Sequence, residues 1–267
     1  MSIQIKPSNF IANNNHNLLT MDPRNDFGIK EDQISKEFEN IKSEIGLYQY
    51  KLFAEKKKAL LIVLQGMDAS GKDGVIRNVM NAFNPAGCRI ESFKTPNSEE
   101  LSYDYLWRVH KKIPGKGIIA VFNRSHYEDV IEVRVQKLKE KTIWEKRYQQ
   151  INDFEKYLTE NDIEIIKIFL NISKEEQKKR LDDRINDPKE NWKVSMDDYQ
   201  RRKKWDRYIY AYSDVIKKCN TKYAPWYLVP ADKKWFRNLI IAKIIQEKLE
   251  VINPKFPVQK FKIPTSS

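Results

Sequence analysis

The stretch Ala59 to Gly74, ALLIVLQGMDASGKDG, decides the fold. Its first six residues are a continuous apolar run, too short for a lone helix and typical of a strand covered on both faces. The run passes straight into a glycine-rich segment. Beyond it Val75, Ile76, Val79, Met80 and Phe83 mark a helix that ends at Asn84-Pro85. A strand, a glycine loop and a helix in that order, with Gly66, Gly71 and Lys72 in GxxxxGK spacing, is the signature of a phosphate-binding loop. Glycines let backbone N–H groups turn inward as an anion nest, the helix start adds its positive dipole end, and the Lys72 ammonium takes a phosphoryl oxygen.

Outward from this stretch the chain alternates between strand and helix. Ile34, Phe38, Ile41, Ile45, Tyr48 and Leu52 step by four and three and predict an amphipathic helix over residues 31–57. A short strand is expected near Arg89 to Phe93, a helix over Ser98 to Lys112, and a buried strand over Gly117 to Phe122. Thr142 with Glu145 reads as a capping box opening a helix, and Ser173 with Glu176 as another. Strands at Ile163 to Leu170 and Trp226 to Val229, and a last helix from Trp235 to Val251, complete the series. Such alternation implies an α/β fold with a parallel sheet and helices on both faces, its ligands bound beyond the carboxyl ends of the strands. The expected organisation is an N-terminal arm over residues 1–30, a kinase-like domain over 31–255 and a C-terminal tail over 256–267.

Three groups of residues can do chemistry. In the loop, Asp73 stands where a Ser or Thr would ordinarily bind Mg²⁺ through its hydroxyl. Asp68 is then the candidate metal carboxylate, with a turn-forming role as its alternative, while Asp73 could simply complement the helix dipole. After the third strand comes Asn123-Arg-Ser-His-Tyr-Glu-Asp129. Here the neutral Asn123 replaces the usual metal-holding Asp, Glu128 and Asp129 could restore the charge, and Arg124 could neutralise a transferring phosphoryl group. The third group is a basic helical hairpin over residues 180–207, in which Arg180 and Arg184 share one helix face. It reads either as a lid closing over the loop or as a solvated charged face.

Lys and Arg total 49 against 37 Asp and Glu, a net charge of +12. That field attracts polyanions, although a lysine-rich usage without function gives the same count. Cys88 and Cys219 are far apart and read as ordinary buried thiols, and the three histidines make no ligand pair. No apolar run is long enough to span a membrane and no secretory leader is evident, so a cytoplasmic location is expected.

Taken together, the chain resembles the polyphosphate kinase 2 family. The residues that carry the resemblance are VLQGMDASGKDG (Val63 to Gly74), FNPAG with SFKTPNSEELSYDYLWR (Phe83 to Arg108), FNRSHYEDV (Phe122 to Val130), RYQQINDFE (Arg147 to Glu155) and APWYLVPADKKWFRN (Ala224 to Asn238). The resemblance implies a three-layer P-loop kinase fold with a central five-stranded parallel sheet and a helical lid. It also implies reversible phosphoryl transfer from inorganic polyphosphate to a nucleotide with Mg²⁺, or Mn²⁺ in its place. Carried over by position, the implied catalytic residues are Asp68, Lys72, Arg124 and Arg184, with Asp68 also organising the metal. Gly66, Met67, Ala69, Ser70, Gly71, Asp73, Gly74, Asn123 and Glu128 are implied phosphate or nucleotide contacts, and Arg134 a further phosphate grip. GKD in the loop is a trait of the family, so Asp73 supports the resemblance. Asn123 and Glu128 resemble the class III subgroup, which accepts AMP and ADP. The remaining implications are a homodimer or homotetramer and no nucleic-acid partner. An ATP-dependent nucleotide kinase and a basic nucleic-acid-binding protein are the competing readings.

Overall fold

The computed structural model describes residues 5–13 and 17–258. Five strands, β1 (Ala59–Gln65), β2 (Cys88–Ser92), β3 (Ile119–Asn123), β4 (Ile163–Asn171) and β5 (Trp226–Pro230), form one parallel sheet in the order β2-β3-β1-β4-β5. Every residue of β1 is buried, as its unbroken apolar sequence requires of a central strand covered on both faces.

The helices are α1 (Ser35–Glu55), α2 (Lys72–Asn78), α3 (Ser98–Leu101), α4 (Trp107–His110), α5 (Glu128–Val135), α6 (Lys141–Trp144), α7 (Arg147–Glu160), α8 (Lys174–Asn186), α9 (Met196–Lys203), α10 (Trp205–Lys218) and α11 (Lys234–Ile252). The chain moves from β1 to β2 in one direction and from β3 to β4 in the other. Right-handed crossovers must then lay their helices on opposite faces. Accordingly α1, α2 and α11 pack together on one side, and α5, α7 and α10 on the other. The crevice created by this reversal lies between β1 and β3, and both the glycine loop and Asn123-Arg124 leave the sheet there.

Local chemistry alters several expected elements. The helix expected over residues 98–112 is broken into α3 and α4, because Asp104 Oδ1 accepts from Leu106 N at 2.9 Å and starts a new turn. The Thr142 capping box does not form, since Thr142 lies inside α6, whose N-cap is Glu140. Ser173 does cap α8, its Oγ accepting from Glu176 N at 3.1 Å, while the Glu176 carboxylate pairs with Arg180 and leaves the box half made. Helix α5 carries no clear signal in the sequence, because EDVIEVRV alternates like a strand and is too short for helical periodicity to declare itself. Cys219 is buried but Cys88 only half-buried. Trp205, Tyr208 and Tyr212 are core residues, whereas Tyr210 is exposed.

The described residues of the N-terminal segment lie against the body of the protein. Ala12 N donates to Trp226 O at 2.8 Å and Ile11 bridges Tyr227, so the chain borders β5. Phe10 is buried against Phe27 and Phe236. Residues 1–4 and 14–16 of the expected arm, and 259–267 of the expected tail, lie outside the described residues. Among the described residues no helix is long and apolar enough to cross a membrane. Phe10→Ala is expected to lower the unfolding free energy by about 3 kcal/mol, read from the urea midpoint at an unchanged slope.

Candidate active site

A loop buried at the end of a strand must find a partner for every backbone carbonyl. From Gly66 to Ser70 each one accepts from a side chain. Lys72 Nζ donates to Gly66 O at 2.8 Å and to Met67 O at 3.1 Å, and Gln177 Nε2 to Asp68 O at 3.0 Å. Arg180 Nη1 reaches Ala69 O and Ser70 O, each at 3.1 Å, and Arg237 Nη1 reaches Ser70 O at 3.4 Å. Gly71 must be glycine on two counts, for its φ is 103° and a Cβ there would stand 1.8 Å from Arg237 Nη1. Burial, followed by the nearby Arg124 cation, pushes the Lys72 ammonium down to about 8, against the pull of Asp68, Glu128 and Asp73. Arg237 is pushed down to about 9 by burial and by Arg180 beside it.

The end of β3 supplies the second wall. Arg124 has φ 63°, a conformation costing about 1–2 kcal/mol for a residue with a Cβ. Its guanidinium donates to Asp68 Oδ1 at 2.5 Å. Burial opposes the Arg124 charge, but Glu128 and Asp68 beside it raise its affinity for the proton above the ordinary value. From α9, Arg201 approaches the other oxygen of Asp68 at 3.6 Å and pairs with Glu132 at 3.0 Å. Asp68 thus lies between two guanidinium groups. Asn123 Nδ2 donates to Asp73 Oδ1 at 2.8 Å, so Asp73 faces the end of β3. Glu128 and Glu132, one turn apart on α5, face the same side as Arg124, and burial pushes the Glu128 carboxyl up. Asp129 is taken up by Arg108 at 3.2 Å and Arg147 at 3.7 Å.

Three cavities adjoin at this edge of the sheet. The central one, about 790 Å³, is lined by Asp68, Lys72, Asp73, Asn123, Arg124 and Arg184. On one flank is a cavity of about 370 Å³ with Phe93, Leu101, Tyr105, Val133 and Leu138 in its walls, sharing Arg124 with the centre. On the other is a cavity of about 350 Å³ walled by Arg77, Arg180, Lys193, Lys234 and Arg237, sharing Arg184 with the centre.

Most of the residues expected at the site meet there: Gly66, Met67, Asp68, Ala69, Gly71, Lys72, Asp73, Gly74, Asn123, Arg124, Glu128 and Arg184 all line these cavities or the small one beside Met67. Ser70 contributes only main chain, since its side chain is fully buried and its Oγ has no hydrogen-bond partner. Arg134 is not brought to the loop. It lies two residues beyond Glu132, round the helix from it, where it pairs with Asp214 at 2.5 Å and stacks on Trp144. Arg180 is a brace, buried and bonded to the loop and to Ala231 O and Asp232 O at 2.8 Å each.

Asp68 and Asp73 offer hard oxygen donors to the central cavity, and Asn123 an amide. Among the described residues no three His, Cys, Asp or Glu cluster to hold a metal alone. This donor set fits a Mg²⁺ that arrives with phosphate oxygens and needs one or two protein carboxylates.

A sequence profile described as polyphosphate kinase 2 (PPK2) matches residues 28–257. The chain belongs to the polyphosphate kinase 2 family. Among similar members, the AMP/ADP-polyphosphate phosphotransferase of Meiothermus ruber is 48% identical over 209 residues, covering 78% of each chain. The ADP-polyphosphate phosphotransferase of Rhodopseudomonas palustris is 42% identical over 221 residues, covering 78% of this chain and 76% of its own. The crystal structure of polyphosphate kinase 2 from Arthrobacter aurescens TC1 superposes with a TM-score of 0.94 at 37% identity, covering 98% of this chain and 95% of that one.

For this polyphosphate kinase 2, sequence reasoning did not single out Arg201, Glu132 and Arg237. Arg201 is one of a run of cations, and nothing in Arg201-Arg-Lys-Lys204 marks which of them turns inward. Glu132 would have followed from Glu128 by a step of four, had α5 been recognised. Arg237 had a signal, as a lone cation entering the apolar face Phe236, Leu239, Ile240.

Lys72 must be protonated to attract phosphate, and its proton is lost as pH rises through about 8. In calorimetric titrations the affinity for inorganic tripolyphosphate is expected to fall across that interval, and Lys72→Met is expected to bind more weakly without that pH limb. Because the folded value lies below the ordinary one of 10.5, the unfolded chain holds the extra proton between about 8 and 10.5. The Lys72 contribution to stability therefore rises with pH in that window.

Proposed function

We propose that this polyphosphate kinase 2 passes phosphoryl groups reversibly between inorganic polyphosphate and AMP or ADP, yielding ADP and ATP. The observation that carries the reading is the asymmetry of the two flanking cavities around one shared centre. The apolar and aromatic flank, with Phe93, Tyr105 and Leu138, suits a nucleoside. Both flanks carry cations and carboxylates, but the one with Arg77, Arg184, Lys193 and Lys234 has no ring and no large apolar side chain in its walls, which supports the polymer on the glycine-loop side. The printed activities of the Meiothermus ruber and Rhodopseudomonas palustris relatives support the same pairing of substrates. Asn123 in place of a carboxylate lowers the negative charge that a doubly charged monophosphate would meet, which supports AMP as well as ADP.

In the transfer, a terminal phosphoanhydride P–O bond of the polymer breaks and a P–O bond to an acceptor phosphate oxygen forms, the bridging oxygen leaving with the shortened polymer. Arg124 and Arg184 reach the centre from opposite sides and can neutralise the charge on the moving group. Lys72 holds a non-transferring oxygen. The acceptor oxygen is already ionised at neutral pH, so no general base is required, and neither His110 nor His126 lines these cavities. A Mg²⁺, or Mn²⁺, held through Asp68 would add charge neutralisation across the phosphates. The remaining rate enhancement comes from holding both substrates in line. We further propose a cytoplasmic homo-oligomer with no nucleic-acid partner, the burial of Trp205, Tyr208 and Tyr212 leaving those rings unavailable for base stacking.

The test is an incubation with Mg²⁺, long-chain polyphosphate and either AMP or ADP, with ADP and ATP followed by chromatography. Product from both acceptors is expected, with rates that fall as salt rises. Lys72→Ala and Asp68→Asn are each expected to cut kcat by about 100-fold or more while the far-ultraviolet circular dichroism stays unchanged. Transfer from ATP but never from polyphosphate would reject the reading, and ATP from ADP with nothing from AMP would reject the use of AMP alone.

A further inference from the structure

Beneath Arg124 lie four ionisable side chains with no exposure at all, His126, Tyr127, Glu155 and Lys167. They come from the turn after β3, from α7 and from the middle of β4. Glu155 is the hub. Lys167 Nζ donates to its Oε2 at 2.6 Å, the Tyr127 hydroxyl to its Oε1 at 2.7 Å, and His126 Nε2 lies 3.2 Å from that same Oε1. Lys167 spends its other two donors on the Tyr127 hydroxyl at 3.0 Å and on Cys219 O at 2.6 Å.

A buried ion pair is a poor source of stability. Desolvating both charges cancels much of their attraction, and two apolar side chains of equal volume commonly serve as well or better. Burial works against the Glu155 anion, yet Lys167 and His126 hold its carboxyl below the usual value. What apolar residues of equal volume would not supply is the set of directional hydrogen bonds that reach the turn. The turn in question needs fixing. Arg124 occupies the left-handed region at φ 63° and carries a full side chain, a strain that persists only when the surroundings over-determine it. Upstream, Arg124 N is tied to Leu64 O at 3.0 Å. Downstream, Gln65 holds Ser125 Oγ at 3.1 Å, and His126 and Tyr127 are tied to Glu155. Tyr127 is also the N-cap of α5, so the same ties aim Glu128 and Glu132.

We propose that His126, Tyr127, Glu155 and Lys167 form a buried clamp that holds the Arg124 turn in its left-handed conformation, and so sets the Arg124 guanidinium over Asp68. They are positioning residues for phosphoryl transfer, a role that rests on the function proposed above. None of them touches substrate, and their effect runs through Arg124.

The decisive variant is the double replacement Glu155→Leu with Lys167→Met, which removes both charges and keeps the volume. It leaves the buried Tyr127 hydroxyl, His126 Nε2 and Cys219 O without these partners, so it is expected to melt about 10 °C below the unaltered chain while still folding at 25 °C. Its kcat is expected to fall about tenfold or more with KM for AMP and polyphosphate changed by less than about twofold, the pattern of an interaction felt only in the transition state. Tyr127→Phe, which removes one hydroxyl and leaves the ring packed, is expected to lose about threefold in kcat with KM unchanged. If the double variant does not fold, this second variant decides. A readout independent of turnover is the Arg124 guanidinium Nε–H resonance in a nitrogen-15 spectrum, assigned by its loss in Arg124→Lys. It is expected to shift or broaden in both clamp variants. Unchanged kcat together with an unchanged Arg124 resonance in a folded variant overturns the clamp. Absence of product from the unaltered chain overturns the proposed function instead, and the resonance then still judges the clamp.

Discussion

The structure depends on the satisfaction of the glycine-loop carbonyls. Gly66 to Ser70 turn through backbone conformations that no strand or helix could pair, at a site where water does not reach the back of the loop. Side chains must therefore do what secondary structure does elsewhere. Lys72 serves the first two carbonyls from within the loop, while Gln177 and Arg180 come from α8 and Arg237 from α11. This explains why so many cations are buried at one place in a protein whose net charge is already strongly positive. It also explains the absence of side chains at Gly71 and Gly74, whose Cβ positions would fall 1.8 Å and 2.9 Å from Arg237. The nearby Arg180 and Arg237 charges repel one another, and the loop carbonyls between them supply part of the compensation.

The same helices that brace the loop also carry groups that face the reaction space. On α8, Arg180 points down into the brace while Arg184, one turn later, lines the central cavity. On α9, Arg201 reaches Asp68 and its neighbour Arg202 donates to Gln177 Oε1 at 3.0 Å, tying α9 back to α8. Any shift of this helical pair thus moves Arg184 and Arg201 together, and it strains the bonds to the loop. The two carboxylate oxygens of Asp68 are held from opposite sides, by the sheet through Arg124 and by the helical pair through Arg201.

Much of this was legible in the sequence where a single residue type answers a single physical demand. A short unbroken apolar run ending in glycine reads as a strand covered on both faces, and a glycine loop between strand and helix leaves little choice of ligand. Asp68, Lys72 and Arg124 followed from their places in the loop and at the strand end, whereas Arg184 read equally as part of a solvated face and was singled out only through the family resemblance. Depth was not legible. Spacing of four put Arg180 and Arg184 on one face, but whether a guanidinium on that face meets solvent or carbonyls depends on what lies opposite, here residues far away in sequence. Arg134 lies away from the loop for the complementary reason. Its helix does reach the site, but through Glu128 and Glu132, and a step of two residues turns Arg134 away. The break at Asp104 shows a short polar side chain outcompeting helical periodicity by bonding its own backbone.

The N-terminal segment ties itself to residues far along the chain. Asn220 donates to Ala12 O across 208 residues of sequence. Arg24 pairs with Asp232, the residue that in turn holds the start of α8 through Ser173. Arg237, which closes the back of the glycine loop, follows five residues later in the first turn of α11. During synthesis on the ribosome a chain that has already made the glycine loop, β3 and the helical pair still lacks its last brace. The phosphate cradle, though written near residue 70, is therefore completed by a cation from the last helix of the described chain.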